Sequence, residues 1–156
     1  MRPVVRDSMV LLMVLSTKGR TDRLLRKLQK KAWRLQSSHV RQKEHCCFTC
    51  GVTTDHRKHF AGHFIHKSIK LPYKLHYDAM NIRRQCVRCN RHLHGNLGIY
   101  AIKLIKIYGE RAVDELVERG HNNEMMTVEE LQKLIMDLPG EREHGKAKEL
   151  RKLKYD

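Results

Sequence analysis

A chain of 156 residues, with 6% aromatic and 31% charged residues, is long enough for one domain with a modest core. Its net charge of +15 and pI of about 9.9 favour a polyanionic partner, most simply nucleic acid. No apolar segment is long enough to span a bilayer, which argues against a membrane protein. Nothing in the sequence indicates secretion, so the reducing cytoplasm is the expected compartment.

The N-terminal 20 residues are predicted to be a loosely ordered extension or a short strand. Their longest apolar run, MVLLMVL at residues 9–15, is at the short limit for a signal peptide and lacks a small-residue cleavage site. Translation starting at Met9 or Met13 is an open alternative, so the sequence does not decide whether residues 1–12 belong to the native protein. We expect residues 1 to about 15 to be dispensable.

Residues 21–43 are predicted to form a basic amphipathic helix. Apolar residues recur on one side at helical spacing, namely Leu24, Leu28, Ala32 and Leu35. The opposite side is basic, and a solvated helix face is the simpler interpretation. Because the whole chain is so basic, we predict instead that this face contacts DNA phosphates. The residues predicted to do so are Arg26, Lys27, Lys30, Lys31 and Arg34.

Two Cys-x-x-Cys pairs delimit the central segment, residues 45–96. Each pair offers two thiolates from one tight turn, so together they predict a tetrahedral structural zinc site. Its ligands would be Cys47, Cys50, Cys86 and Cys89. Two disulfides or four free thiols are the alternatives. Cys46 does not fit the two-residue gap and is predicted to be a bystander, although a register slip by one residue is an alternative.

Between the pairs lie the residues that nuclease chemistry would need. His63 stands in a strand-like stretch at residues 59–65, where partial burial would keep its imidazole neutral and able to act as a general base. Asn81 would steady the hairpin, and Asn90, directly after Cys89, would help hold a catalytic Mg²⁺ or Mn²⁺. Taken singly, His63 could be a core histidine, Asn81 a cap or turn residue, and Asn90 an ordinary helix-start residue.

Glycine and proline residues mark the predicted ends of the helices and loops around this site. Residues 67–77 are predicted to be a loop whose Lys67, Lys70 and Lys74 line the nucleic-acid surface, and residues 86–94 to be a helix ending near Gly95. Further helices are predicted at residues 97–108, packed on the core, at 110–119, stopped by Gly120, and from a capping box at Thr127 to about 138. Residues 139–156 are predicted to be a basic tail or helix.

The predicted fold is therefore α+β. It is mostly helical, with a small zinc-stapled ββα-metal core of HNH-like, treble-clef type. A single nuclease domain would cover residues 21–138, made of the basic helix at 21–43, the core at 45–96 and a helical part at 97–138.

The segments KKAWRLQSSHVRQKE, AGHFIHK and NIRRQCVRCNRHLHGNLGIY resemble the NinG (Rap) family of lambdoid phage recombination proteins, over about residues 27–154. The most specific block is QCVRCNRHLHGN. The resemblance implies a phage- or prophage-encoded DNA endonuclease acting in the bacterial host on D-loops and Holliday junctions. The four cysteines match the family's zinc ligands, and His63 matches its strand histidine. The arrangement is also similar to the endonuclease VII group, in which the position of Asn90 binds the catalytic metal.

The sequence departs from both patterns in one respect. Endonuclease VII-type sites have an acidic residue directly before the strand histidine, and here that residue is Gly62. NinG-like sequences often have Asp three residues before it, and here that residue is Phe60. The nearest carboxylates in sequence are Asp55 and Asp78, and the alternative ligands are His59, His66 and His94.

The expected function is metal-dependent cleavage of branched DNA by an HNH-type endonuclease. Symmetric cutting of a four-way junction would favour two active sites and therefore a homodimer. A non-catalytic zinc-containing nucleic-acid-binding protein is the alternative, and an adaptor that contacts an acidic protein surface is a second one.

Overall fold

The computed structural model describes residues 5–66, 71–122 and 124–139, with side chains from residue 21 onward. Helix α1 (Val5–Lys43) leads into a hairpin of two antiparallel strands, β1 (His59–His63) and β2 (Ile82–Cys86). Three helices follow, α2 (Leu97–Tyr108), α3 (Glu110–His121) and α4 (Val128–Asp137). This mixed and mainly helical architecture confirms the α+β class. Lys67, Lys70 and the tail beyond residue 139 lie outside the described residues.

Helix α1 ends at Lys43 as predicted, but it begins at Val5 rather than at residue 21. Leucine and methionine, which dominate the apolar run at residues 9–15, are good helix formers, so a helix there agrees with local propensity. Within the described ranges, no helix combines the length and apolar composition needed to cross a bilayer. That residues 1 to about 15 are dispensable stays a prediction.

The hairpin pairs His59 with Cys86 and His63 with Ile82. The prediction of a helix over residues 86–94 was wrong in its extent, because Cys86 ends β2 and only one wide helical turn, Arg88–His92, follows it. The backbone groups of residues 82–86 bond to β1, a distant segment that local helical pattern does not reveal. Gly95 does close the turn as predicted. It has φ of 90° and its N–H donates to Cys89 O at 2.9 Å.

Arg84 fixes the end of α1 against the hairpin. Arg84 is 4% exposed, and its guanidinium donates to the backbone carbonyls Arg41 O at 3.1 Å, Thr54 O at 2.5 Å and Glu44 O. It also donates to Nδ1 of His59. Since that nitrogen must then be an acceptor, the ring proton is on Nε2, which donates to Thr54 Oγ1 at 2.5 Å. This buried network sets the position of α1 relative to β1.

Helix α2 has the predicted bounds and buries Tyr100 and Leu104 in a core shared with α3. It is not packed all round, since Ile102 is 62% exposed and Ile107 is 54% exposed. Gly120 does not stop α3, which continues to His121. A Cβ at Gly120 would lie 3.1 Å from Cγ2 of Ile65, so glycine permits close packing there.

Helix α4 starts with the predicted capping box. Thr127 Oγ1 accepts from Glu130 N at 3.2 Å, and Thr127 N donates to Glu130 Oε2 at 2.8 Å. Its Leu131 is fully buried in a cluster with Ala32 of α1 and Tyr77. Helix α1 therefore packs against both α4 and the hairpin.

Candidate metal centre and histidine site

The four cysteines of the two Cys-x-x-Cys pairs converge. The Sγ atoms of Cys47, Cys50, Cys86 and Cys89 all lie within 4.8 Å of one another, and those of Cys50 and Cys86 are 3.7 Å apart. Four sulfurs at such separations match the donor set of a tetrahedral metal site. Cys46 is not part of the cluster, as predicted. All five cysteines are unbridged, which is contrary to the disulfide alternative.

Local backbone geometry builds this cluster. Gly51 has φ of 77° and closes the first turn with its N–H donating to Cys47 O at 2.8 Å. In the second turn, Cys89 N donates to Cys86 Sγ at 3.5 Å, and Asn96 Nδ2 points to Cys89 Sγ at 3.8 Å. Such donors stabilise thiolates and orient them toward a metal. The described residues therefore contain a four-cysteine centre that can hold a metal such as zinc.

The thiols differ in acidity because of their surroundings. Burial raises the pKa of Cys50 to about 12, with contributions from the neighbouring thiols, and burial also raises the pKa of Cys86. Burial acts in the same direction on Cys47, but hydrogen bonds from Thr49 and from backbone groups outweigh it and lower the pKa of Cys47 to about 6. Several thiolates cannot coexist in so small a volume without a cation to offset their charge.

His63 is the last residue of β1 and its ring lies in an aromatic stack. The ring of Trp33, from α1, is 5.2 Å from it with 20° between the planes, and the ring of His76 is 4.5 Å from it. His63 Nε2–H donates to His76 O at 3.0 Å, because a carbonyl can only accept. With its proton on Nε2, the neutral ring has a lone pair on Nδ1. Burial lowers the pKa of His63 and so favours this neutral form, against the opposing effect of the bond to His76.

Asn81 is fully buried and fastens the segment that follows β1. Its Oδ1 accepts from Ile65 N at 2.7 Å, and its Nδ2 donates to Ile65 O at 3.0 Å and to Leu75 O at 2.9 Å. Asn81 was predicted to steady the hairpin, and these three hydrogen bonds are the means by which it does so. A part of Asn81 in catalysis stays a prediction. They hold together the two chain segments that contribute His63 and His76.

Asn90 lies on the wide turn after β2, against the end of β1. Its Oδ1 is 2.8 Å from the place where a Cβ on Gly62 would be. Since successive strand residues point to opposite faces, Asn90 and His63 flank the end of β1 from opposite sides. Asn90 therefore lies next to Gly62, the strand neighbour of His63, and it approaches β1 from the face opposite to the His63 side chain.

The candidate replacements for the missing carboxylate have other partners. Asp55 precedes the far end of β1 and pairs with Arg57 at 2.7 Å. Asp78 accepts from Met80 N at 2.7 Å and pairs with Arg119 at 2.7 Å. Both carboxylates therefore already have an arginine partner.

The histidine alternatives differ in their surroundings. His59 is 2% exposed and bonded to Arg84 and Thr54. His66 is exposed, with its ring 6.2 Å from that of His63, and His94 is exposed on a backbone with φ of 47°. In the described part of the chain, the four cysteines are the one group of three or more acidic, cysteine or histidine ligands that converge closely.

The predicted DNA-binding residues of α1 are all exposed. Arg26 and Lys30 lie seven and three positions before Trp33, which places all three on one stripe of the helix. Lys74 is different, because its ammonium pairs with Glu124 at 2.7 Å and Glu130 at 3.0 Å. Its charge is offset locally, and a DNA contact by Lys74 stays a prediction.

Three residues of the site were not predicted from the sequence, namely the stacking partners Trp33 and His76 and the buried Gln85. Trp33 lies near the apolar side of α1 in the sequence pattern, which by itself predicts only packing. Gln85 lies opposite Phe60 in the hairpin and is fully buried between the cysteine turns and Gly62. A polar residue directly before a ligand cysteine was the available signal.

Fold and site together define a small basic α+β protein with a four-cysteine centre able to hold a metal such as zinc. The chain belongs to the NinG family, since the family described as Bacteriophage Lambda NinG protein matches residues 17–152. Protein ninG of Escherichia phage 933W is 42% identical over 84 residues, which are 54% of this chain and 40% of that protein. Protein ninG of Escherichia phage lambda and that of Salmonella phage P22 are each 39% identical over 84 residues, again 54% of this chain and 39% of theirs. The matched part thus spans about two fifths of these relatives. No solved structure matches the chain.

Proposed function

We propose that this protein is a metal-dependent DNA endonuclease of the ββα-metal type that cleaves branched recombination intermediates. The observation that carries the proposal is the bond from His63 Nε2–H to His76 O, which leaves Nδ1 of a neutral imidazole as a proton acceptor. A histidine with this tautomer at a strand end, in a fold that also brings an amide oxygen next to that strand and holds a four-cysteine centre, has the composition of a phosphodiester hydrolysis site.

In the proposed mechanism, His63 Nδ1 takes a proton from the water that attacks the phosphorus. The lowered pKa of His63 keeps the ring unprotonated at neutral pH, so the acceptor is present before substrate binds. The ring is held by Trp33 on α1 and by His76, and the His76 carbonyl fixes its rotation. Positioning of this kind lowers the entropic part of the barrier.

The residues present fit a hard divalent cation such as Mg²⁺ or Mn²⁺. Asn90 Oδ1 lies 2.8 Å from the place where a Cβ on Gly62 would be, and an amide oxygen of this kind is a suitable ligand for such an ion. When bound there, the cation would offset the negative charge that develops on the phosphate. Zinc in the four-cysteine centre would be structural, since four protein ligands leave it no open position.

The basic stripe of α1 gives a path for the DNA backbone. Arg26 and Lys30 share their helix stripe with Trp33, and Trp33 stacks on His63. A phosphate chain that follows this stripe would therefore reach the histidine. Contacts of this kind give affinity without sequence choice, which agrees with a substrate defined by its branching. The branched substrate itself is what membership of the NinG family suggests.

The test is cleavage of labelled four-way, D-loop and plain duplex DNA with Mg²⁺, with Mn²⁺ and with EDTA. The wild type should cut the branched substrates in a metal-dependent manner. His63→Ala should lose cleavage by roughly a hundredfold or more, in the range of general-base removal, while keeping DNA affinity. The control His121→Gln, at the exposed end of α3, should cut like the wild type. Tight binding without cutting by the wild type in either metal would contradict the proposal.

The second candidate is a non-catalytic zinc-containing protein that binds branched nucleic acid. The observation in its favour is that Asp55 and Asp78, the nearest carboxylates in sequence, are both paired with arginines. For this candidate, His63→Ala would leave every measurable property except local stability unchanged.

A further inference from the structure

The amide of Gln85 is buried with half of its bonding capacity unused. The residue is fully buried, and its Oε1 has no hydrogen-bond partner. Leaving a buried acceptor unpaired costs on the order of 1–3 kcal/mol, so such atoms call for a specific explanation. A ligand that this oxygen accepts or coordinates would be one.

The orientation of this amide is fixed by its other end. Gln85 Nε2 donates to Gly95 O at 2.6 Å and to Thr49 Oγ1 at 3.3 Å. Rotating the amide by half a turn would set Oε1 against the Gly95 carbonyl, which is repulsive. Oε1 therefore has to point away from Gly95 and toward Gly62. Thr49 lies between two of the clustered cysteines, so the same bonds connect the amide to the metal centre.

The side-chain oxygens of Gln85 and Asn90 both lie next to Gly62. A Cβ built on Gly62 would be 2.1 Å from Gln85 Oε1 and 2.8 Å from Asn90 Oδ1. The two oxygens are therefore at most about 5 Å apart, a range that includes the roughly 3–4 Å between two ligands of one octahedral Mg²⁺. The glycine is required for this arrangement, because any side chain there would displace the Gln85 oxygen.

We propose that Gln85 Oε1 and Asn90 Oδ1 together bind the divalent cation, so that a neutral amide takes the place of the carboxylate missing at Gly62. The inference rests on the proposed function for the purpose of the ion, but the ion site can be measured independently. Asn90 is partly exposed and Gln85 is buried, so the ion would be held from inside by Gln85 and be reachable from the side of Asn90.

A site of two neutral oxygens makes a specific prediction about affinity. Mg²⁺ and Mn²⁺ usually bind through carboxylates together with substrate phosphates. Without a carboxylate, the affinity of the free protein should be weak, and DNA phosphate oxygens should complete the shell. Mn²⁺ should therefore bind more tightly when DNA is present.

The first experiment measures Mn²⁺ binding from the electron paramagnetic resonance signal of the unbound ion, with and without a short four-way junction. The background is His63→Ala, which prevents cleavage during the measurement. Gln85→Met, of similar volume but without the oxygen, should weaken Mn²⁺ binding about tenfold or more, since even changes to groups that orient ligands typically cost about 10- to 100-fold. Unchanged affinity in a folded Gln85→Met protein would overturn the inference.

A second pair of variants keeps the inference testable if Gln85→Met does not fold. Gly62→Ala leaves Gln85 intact but places a Cβ within 2.1 Å of its oxygen, so Mn²⁺ binding should fall although no polar group is removed. The double variant Gly62→Asp with Gln85→Ala supplies a carboxylate in the space vacated by the amide. It should bind Mn²⁺ more tightly than the wild type, and a double variant that binds no better than Gln85→Ala alone would overturn the inference.

The two proposals fail in different ways. Wild-type protein that binds Mn²⁺ through Gln85 but cuts no DNA would contradict the nuclease proposal and support the ion site. Protein that cuts branched DNA while Gln85→Met and Gly62→Ala leave Mn²⁺ affinity unchanged would support the nuclease and overturn the ion site. Zinc content and circular dichroism of each variant are the controls for folding.

Discussion

Trp33 of α1 stacks on His63 at the end of β1, with ring centroids 5.2 Å apart and an angle of 20° between the planes. The contact joins the basic helix to the candidate base, two elements separated by the first cysteine turn. It also gives α1 a part in the site beyond that of a charged surface, because the helix restricts the motion of the imidazole.

Replacing Trp33 should therefore affect catalysis more than DNA binding. Trp33→Leu keeps an apolar side chain but removes the stack, and we expect kcat on branched DNA to fall about tenfold with KM little changed. Trp33→Phe, which keeps an aromatic ring, should restore most of the rate. Equal rates for Trp33→Leu and Trp33→Phe, with matched melting temperatures, would show that the stack does not position the base.

Acid should destabilise the fold through its buried histidines. Burial lowers the pKa of His76 to about 3, with His63 and His66 adding to the effect, and burial also lowers the pKa of His59 and His63. The unfolded chain, with histidine pKa values near 6.5, then binds more protons than the folded chain. Stability should be full above about pH 6.5 and decrease as the pH falls, by up to about 1.4 kcal/mol per pH unit for each such group.

Urea unfolding between pH 7.5 and 5.5, with zinc content followed in parallel, measures this slope. His76→Phe should make the slope shallower, because it removes the histidine with the largest shift. His121→Gln, at the exposed end of α3, should leave the slope as it is. A His76→Phe protein with the wild-type slope would contradict the assignment.

Metal removal should unfold the centre of the protein. Structural zinc in a four-cysteine site contributes about 10 kcal/mol or more of apparent binding free energy, which exceeds the stability of most domains of this size. We expect Cys47→Ser to lose the bound zinc and most of the cooperative unfolding transition. Cys46→Ser is a matched control one residue away and should keep one zinc per chain. Loss of zinc from Cys46→Ser but not from Cys47→Ser would mean that Cys46, and not Cys47, is the first zinc ligand.

Arg84 should be the most sensitive of the arginines around the hairpin. Arg84→Met would leave the carbonyls of Arg41, Glu44 and Thr54 without their buried donor, at a cost of about 3 kcal/mol or more. Arg88→Met, at an exposed position on the turn after β2, should cost less than about 0.5 kcal/mol. Denaturant midpoints of the two variants compare these costs, and similar losses for both would refute a special role for Arg84.

The basic stripe of α1 should reveal itself in the salt dependence of DNA binding. If Lys30 contacts a phosphate, Lys30→Gln should weaken binding to branched and duplex DNA alike and reduce the slope of log K against log salt by about 1. Arg111→Gln, on the exposed surface of α3, is the control of equal charge change. A salt slope that responds equally to both variants would mean that net charge alone, and no defined path, attracts the DNA.

The sequence by itself determined the features that depend on neighbouring residues. Each Cys-x-x-Cys pair forms a turn whose two sulfurs are necessarily close, so the four-ligand set could be written down before the fold was known. The capping box at Thr127 and the end of α2 at Gly109 are likewise decided within a few residues, by hydrogen bonds to the first turn and by a left-handed backbone.

Features that depend on contacts between segments distant in the sequence were decided only by the tertiary structure. Cys86 belongs to β2 rather than to a helix because residues 82–86 find their hydrogen-bond partners in β1, a segment that no local pattern identifies. The stack of His63 with Trp33 and His76, and the unpaired oxygen of Gln85, arise where α1, the hairpin and the cysteine turns meet. The burial and the tautomer of His63 depend on the segments packed around it. The chemistry of the site is therefore decided by packing between segments and not by the identity of single residues.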